Sequence, residues 1–176
     1  MGVIARLRSY HHLKTMDNYL IDMDKVHAQI EAGKHYSAHI NSPTLGDGDS
    51  VEMYFKMPDS AVRCHTVVTF GAELGGVAEI RRTATVSLSG SVVTVFNDNH
   101  NSSNETTMTV RSSPTLTGSG TQVAHFHVGG GFQGRDGGDA GSRREFIGLQ
   151  GTIYIARYTS IAGSNEADIG IAFYEE

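Results

Sequence analysis

The chain is poor in the residues that staple or anchor a protein. Its 176 residues include one cysteine, three prolines and no tryptophan. A lone Cys64 has no partner for a disulfide within the chain, and it excludes every multi-cysteine zinc motif. No run of about 18 apolar residues occurs, so no helical membrane span is expected. The opening MGVIARLRSY has two arginines but no apolar core segment or small-residue cleavage site, so no signal peptide is expected. A basic surplus is missing too, because the formal net charge is −5 with histidine neutral. Residues 1–35 carry five basic and four acidic side chains, which leaves nine and fifteen for residues 36–176. Binding to nucleic acid through phosphate contacts needs a basic face, so that class is set aside.

What is abundant is glycine, at 21 residues, together with threonine, valine and serine. Short apolar/polar alternations recur with turn signals between them, which predicts strands over 34–41, 51–57, 62–70, 77–86, 91–97, 105–112, 121–128, 145–150, 152–159 and 168–174. Strands at this spacing, with no amphipathic helix after residue 33, predict an all-β fold. We expect an antiparallel β-sandwich, jelly-roll-like, over residues 26–176. Residues 1–25 are expected to form an N-terminal arm or short helix. Met16, Tyr19, Leu20, Met23, Val26 and Ile30 have helical spacing, with Gly33 placed to cap the end. Against that, Val26, Ala28 and Ile30 alternate with His27 and Gln29, and extended structure from about residue 25 is the favoured expectation.

The stretch SVVTVFNDNHNSSNETTMTV, residues 91–110, predicts a strand, an Asn-rich tip and a return strand. Residues 129–144 form a glycine-rich loop containing a literal G-x-G-x-x-G at Gly129, Gly131 and Gly134. No helix pattern follows it, so a dinucleotide site is not expected. His125 and His127 flank Phe126 and share one face of a strand; His35 and His39 form a second such pair. The preferred expectation is the polar face of half-buried strands, with no metal site. Cys64 and His65 are neighbours on a strand and point to opposite faces, which argues against a thiolate–imidazole dyad. The acidic turn Gly46–Asp49 lacks the calcium-loop pattern. No catalytic residues and no cofactor are expected, and the chain is not expected to be an enzyme.

Two blocks carry a resemblance. In the first, Asn97, Asn99, Asn101 and Ser102 are followed by Pro114, Thr115, Thr117 and Gly120. In the second, Glu145, Phe146 and Ile147 precede Arg157 and Tyr158, and the block closes on Phe173, Tyr174 and Glu175. In this order they resemble a family of tailed-bacteriophage virion proteins, over about residues 26–176. The chain departs from the family pattern at His100, where arginine is expected, and at Phe173, where tryptophan is usual. The resemblance implies a structural protein of the virion, a capsid decoration or cement protein on the capsid surface. Its implied partners are the major capsid protein and copies of itself, as a trimer or dimer, with no nucleic acid and no membrane. The candidate contacts are Ile4, Leu7, Leu13, Met16, Tyr19 and Leu20 on the arm, Asn97, Asn99 and Asn101 on the tip, and Phe132 and Arg135 in the glycine-rich loop. The competing expectation is a tail-associated module that binds carbohydrate or a receptor; the absence of tryptophan as a stacking platform weighs against it.

Overall fold

A computed structural model describes residues 12–16, 19–23, 25–129 and 143–176. Ile4, Leu7, Phe132 and Arg135, with Gly131 and Gly134, lie outside the described residues.

Among the described residues the chain is all-β, with one short helix. In order it runs β1 (His12–Met16), β2 (Tyr19–Met23), α1 (Lys25–Glu31), β3 (His35–Leu45), β4 (Ser50–Lys56), β5 (Cys64–Ala72) and β6 (Gly76–Arg82). Four short strands follow: β7 (Thr85–Leu88), β8 (Ser91–Val92), β9 (Phe96–Asn97) and β10 (Thr109–Ser112). The rest are β11 (Thr115–Gly118), β12 (Thr121–Val128), β13 (Arg143–Ile147), β14 (Ile153–Ser160) and β15 (Asn165–Glu175).

Two antiparallel sheets form a sandwich. One has the order β12-β6-β14-β4-β10-β8, the other β13-β5-β15-β3-β9. The long-range pairings nest: β3 with β15, β4 with β14, β5 with β13 and β6 with β12. Strand alternation explains the layers. Thr66, Val68 and Phe70 of β5 and Ala167, Ile169, Ile171 and Phe173 of β15 point inward. They meet Met53 and Phe55 of β4 and Tyr154, Ala156 and Tyr158 of β14 in one core. Full burial of each large apolar side chain contributes about 1.5–3 kcal/mol. A smaller cluster of Tyr54, Ala84 and Ile155 lies on the outer face of the six-stranded sheet, under Val86 and Leu116 of the β7–β11 ribbon.

Three expectations are corrected. Residues 12–16 and 19–23 are strands and not helix, because β1 and β2 pair with each other in register. Lys25–Glu31 is a helix and not an extended strand. The expected strand 77–86 breaks at Thr83, whose φ of 56° ends β6 and turns the chain into β7.

The expected hairpin over 91–110 is also only partly formed. Val92 and Ser91 pair with Arg111 and Ser112, but Phe96 and Asn97 pair with Ser37 and Tyr36 of the opposite sheet. Residues 92–97 therefore cross from one sheet to the other and close that side of the sandwich. Val93 and Val95 pack against the core, while Val92 and Phe96 remain 73% and 53% exposed.

Candidate functional site

Among the described residues, a dense polar cluster forms the root of the β1–β2 ribbon. β2 ends at Met23 and α1 begins at Lys25, so whatever fixes α1 fixes the exit of the ribbon. α1 has seven residues and no buried side chain, far below the length at which a helix stands alone in water. It is held by its ends.

At its C-terminus, Gly33 has φ +66° and donates its N–H to Ile30 O at 2.9 Å, while Lys34 donates to Gln29 O at 2.9 Å. This pair of bonds around a left-handed glycine is the Schellman closure. It leaves the carbonyls of Glu31, Ala32 and Gly33 to be satisfied by other groups. The Asn-rich loop supplies them. Asn99 Nδ2 donates to Glu31 O at 3.1 Å, Asn104 Nδ2 to Ala32 O at 3.4 Å and Gly33 O at 3.1 Å, and Asn97 Nδ2 to Gly33 O at 3.0 Å. The oxygens of the same side chains hold the loop: Asn97 Oδ1 accepts from Asn99 N–H at 2.9 Å and Asn99 Oδ1 from Asn101 N–H at 3.1 Å. Asparagine suits this work because one uncharged side chain both donates and accepts.

At the other end, Lys25 Nζ lies 2.9 Å from Glu176 Oε2 and 5.3 Å from the centre of the Tyr174 ring. Tyr174 stacks on His65 at 4.5 Å, and His65 Nε2 meets Glu176 Oε1 at 2.6 Å. His35 lies on the other side of Tyr174 at 6.4 Å, with its Nδ1 2.5 Å from Asp98 Oδ2. The row Asp98, His35, Tyr174, His65 thus runs across β3, β15 and β5 beneath the helix. The hydrogen bond to Lys25 holds the Glu176 carboxyl below its ordinary value, with His65 adding to this against the opposing effect of burial. The Lys25 ammonium is raised by the same bond.

This cluster does not assemble a nucleophile. Ser37 Oγ donates to Asp98 Oδ1 at 2.7 Å, so its hydroxyl is turned to the carboxylate and not to the His35 imidazole. Cys64 is buried and points into the core while His65 points out; burial pushes its thiol up to about 12. Among the described residues, no three His, Cys, Asp or Glu side chains are grouped so as to hold a metal ion. The Gly46–Asp49 turn closes on itself, with Asp49 Oδ2 accepting from Gly46 N–H at 2.8 Å.

Leu13, Met16, Tyr19 and Leu20 all fall on the ribbon, which among the described residues pairs with no other strand. Asn97 and Asn99 are committed within the chain, so they are removed as free contact groups; Asn101 remains exposed. The residues of the C-terminal block have structural partners. Arg157 bridges Glu52 at 2.5 Å and Glu79 at 3.2 Å, and Tyr158 bonds Asn165. Phe173 stacks on Tyr36 at 5.5 Å, and Glu175 Oε1 accepts from Thr106 and Thr107. Sequence inspection missed Lys25, Asp98 and Glu176, and weighed His65 only as a partner for Cys64. Asp98 lay inside the Asn-rich signal, but the others had no local pattern.

An open cleft of about 580 Å³ lies between β3, β4 and the turn after β10, lined by Ile40, Asn41, Glu52, Ser113 and Pro114 among others. It has no aromatic lining on which a sugar would stack. No protein-family model, curated protein or solved structure matches the chain.

Proposed function

We propose that this chain is a structural virion protein of a tailed bacteriophage, a capsid decoration or cement protein that stabilises the head shell through protein–protein contacts. Three things support this reading. The ordered Asn-rich and C-terminal blocks resemble such a family. The nested strand pairing of the sandwich supports a jelly-roll-like reading, an architecture on which viral capsid domains are built. The third observation carries the proposal: a two-stranded ribbon, paired to nothing else among the described residues, springs from a root held at one end by asparagine hydrogen bonds and at the other by the Lys25–Glu176 ion pair.

An isolated two-stranded hairpin is at best marginally stable in water. The ribbon's residues include Leu13, Met16, Tyr19, Leu20, Ile21 and Met23, an apolar content that calls for burial against another surface. A stiff body with an adhesive ribbon is what a cement needs, since the body transmits load while the ribbon orders against a neighbouring subunit. The partners in this reading are the major capsid protein and further copies of the chain.

Cryo-electron microscopy of the intact particle tests it. Density for this fold over the head shell, in numbers comparable to the shell protein, is the expected result; density at the tail alone sinks it. Removal of residues 1–20 is expected to abolish capsid binding while the sandwich still folds, and unchanged binding removes the ribbon from the mechanism.

A further inference from the structure

We propose that His125 and His127 form a two-imidazole chelate for a late first-row divalent cation, on a face remote from the ribbon root and independent of the virion reading.

Among the described residues β12 is an edge strand, paired with β6 on one side only. Phe126 points inward and meets Phe70 edge-on at 5.4 Å, which turns both flanking histidines outward onto the exposed face. Their ring centres are 5.9 Å apart and the rings stand at 87° to each other. Two imidazoles sharing one tetrahedral ion, each nitrogen about 2 Å from it, have ring centres about 5 Å apart. A small side-chain rotation closes that difference, and exposed side chains make it freely.

The surroundings do not oppose a cation. Glu79, opposite His125 on β6, is held by Arg157 at 3.2 Å and Arg81 at 3.0 Å, and Glu52 holds the far side of Arg157. This group of two acids and two arginines is neutral in sum, so it neither repels an ion nor competes as its ligand. Val77, opposite His127, offers no donor. His35 cannot join, being bound to Asp98 on the other sheet. Imidazole pairs select zinc, copper and nickel, with copper(II) bound most tightly. Water fills the remaining positions, giving one ion per chain.

The test is titration of the tag-free chain with zinc chloride and copper sulfate at pH 7.5, followed by calorimetry and by copper broadening of backbone amide resonances. The expected result is one ion per chain, with broadening centred on β12 and the facing part of β6. His125→Gln and His127→Gln each weaken binding at least about tenfold, the smallest loss typical even of an outer-shell partner. His39→Gln, on the other sheet, leaves affinity unchanged. The proposal is overturned if the H125Q/H127Q double variant binds as the wild type does, or if broadening in the wild type centres on any other histidine. The wild-type broadening pattern decides the matter even if a variant folds poorly.

Discussion

Gly33 faces Ser102 so closely that a β-carbon on the glycine would stand 2.2 Å from Ser102 Oγ and 2.6 Å from its β-carbon. The contact joins the end of α1 to the Asn-rich loop 69 residues later in the chain, and it leaves room for glycine alone.

Gly33→Ala is therefore expected to be costly twice over. A left-handed alanine costs about 1 kcal/mol, and the clash with Ser102 forces the loop off the helix end. Together they give a loss of about 2 kcal/mol in urea unfolding. Amide exchange is the sharper check. Protection in α1 and in residues 97–104 should fall together, because the same asparagines cap the one and shape the other. Loss of protection in α1 alone contradicts the shared clamp.

The second prediction concerns Asn165, a fully buried polar side chain with 0% exposure. Its Oδ1 accepts from Leu74 N–H at 2.7 Å, and its Nδ2 donates to Gly75 O at 3.2 Å, Ser160 Oγ at 2.9 Å and Tyr158 OH at 2.8 Å. Asn165→Leu keeps the bulk but leaves the Leu74 N–H and the Tyr158 hydroxyl without their partner, while Ser160 Oγ keeps its bonds with Ala162 and Gly75 O its bond from Ile161 N–H. Each group left unpaired costs about 1–3 kcal/mol, so a total loss of about 2 kcal/mol or more is expected. Burial raises the Tyr158 phenol, while the bond to Asn165 opposes that. Ultraviolet titration of a variant that still folds should therefore show this tyrosine ionising at still higher pH.

Much of the sandwich was legible because half-buried strands alternate, and the alternation in 62–70 and 168–174 is long enough to leave no rival. Three places were not legible, each for a physical reason. Val26, Ala28 and Ile30 satisfy a strand period and a helix period alike over so few residues, and the deciding groups are Asn97, Asn99 and Asn104, about 70 positions away. Val93 and Val95 alternate as in a hairpin, yet the segment crosses between sheets, because Phe96 and Asn97 find their partners on β3. Thr83 carries no turn signature, although it adopts a left-handed φ. The root of the ribbon was half visible. The Asn-rich loop announced itself, but its partners, and the Lys25, His65 and Glu176 cluster, exist only once β3, β15 and β5 lie side by side.

The third prediction follows from Lys25 and Glu176. Glu176 has its carboxyl lowered from an ordinary value of 4.5, so its contribution is present above that value and is lost as pH falls through the lowered one. Lys25 is raised from 10.5, so its share is present below that value and is lost as pH rises through the raised one. Between these limits the pair contributes a plateau. Both groups are partly exposed, so Glu176→Gln should cost less than about 1 kcal/mol at pH 7. Urea unfolding at pH 7 and again at pH 3 checks it: the gap between variant and wild type should shrink at the lower pH. A gap that does not change with pH assigns the effect to packing.

The last prediction concerns Cys64, which is 1% exposed and whose thiol burial pushes up to about 12 from an ordinary 9.0. A thiol raised in the folded state contributes stability that is intact below pH 9 and drains away as pH climbs toward about 12, since the unfolded chain ionises first. One group of this kind adds a slope approaching about 1.4 kcal/mol per pH unit in that window. Tyr36 and Tyr158 are also raised by burial, from 10.0, and they steepen the loss above pH 10. Replacing Cys64 with alanine should therefore lower stability at pH 7, by leaving a small cavity, yet flatten the decline between pH 9 and 10, before the tyrosines contribute. The same burial predicts that a thiol reagent labels the native chain only through opening of the sandwich, and so far more slowly than it labels the urea-unfolded chain. Labelling of the native chain as fast as the unfolded one would place Cys64 within reach of solvent and contradict its position on the core face of β5, between β13 and β15.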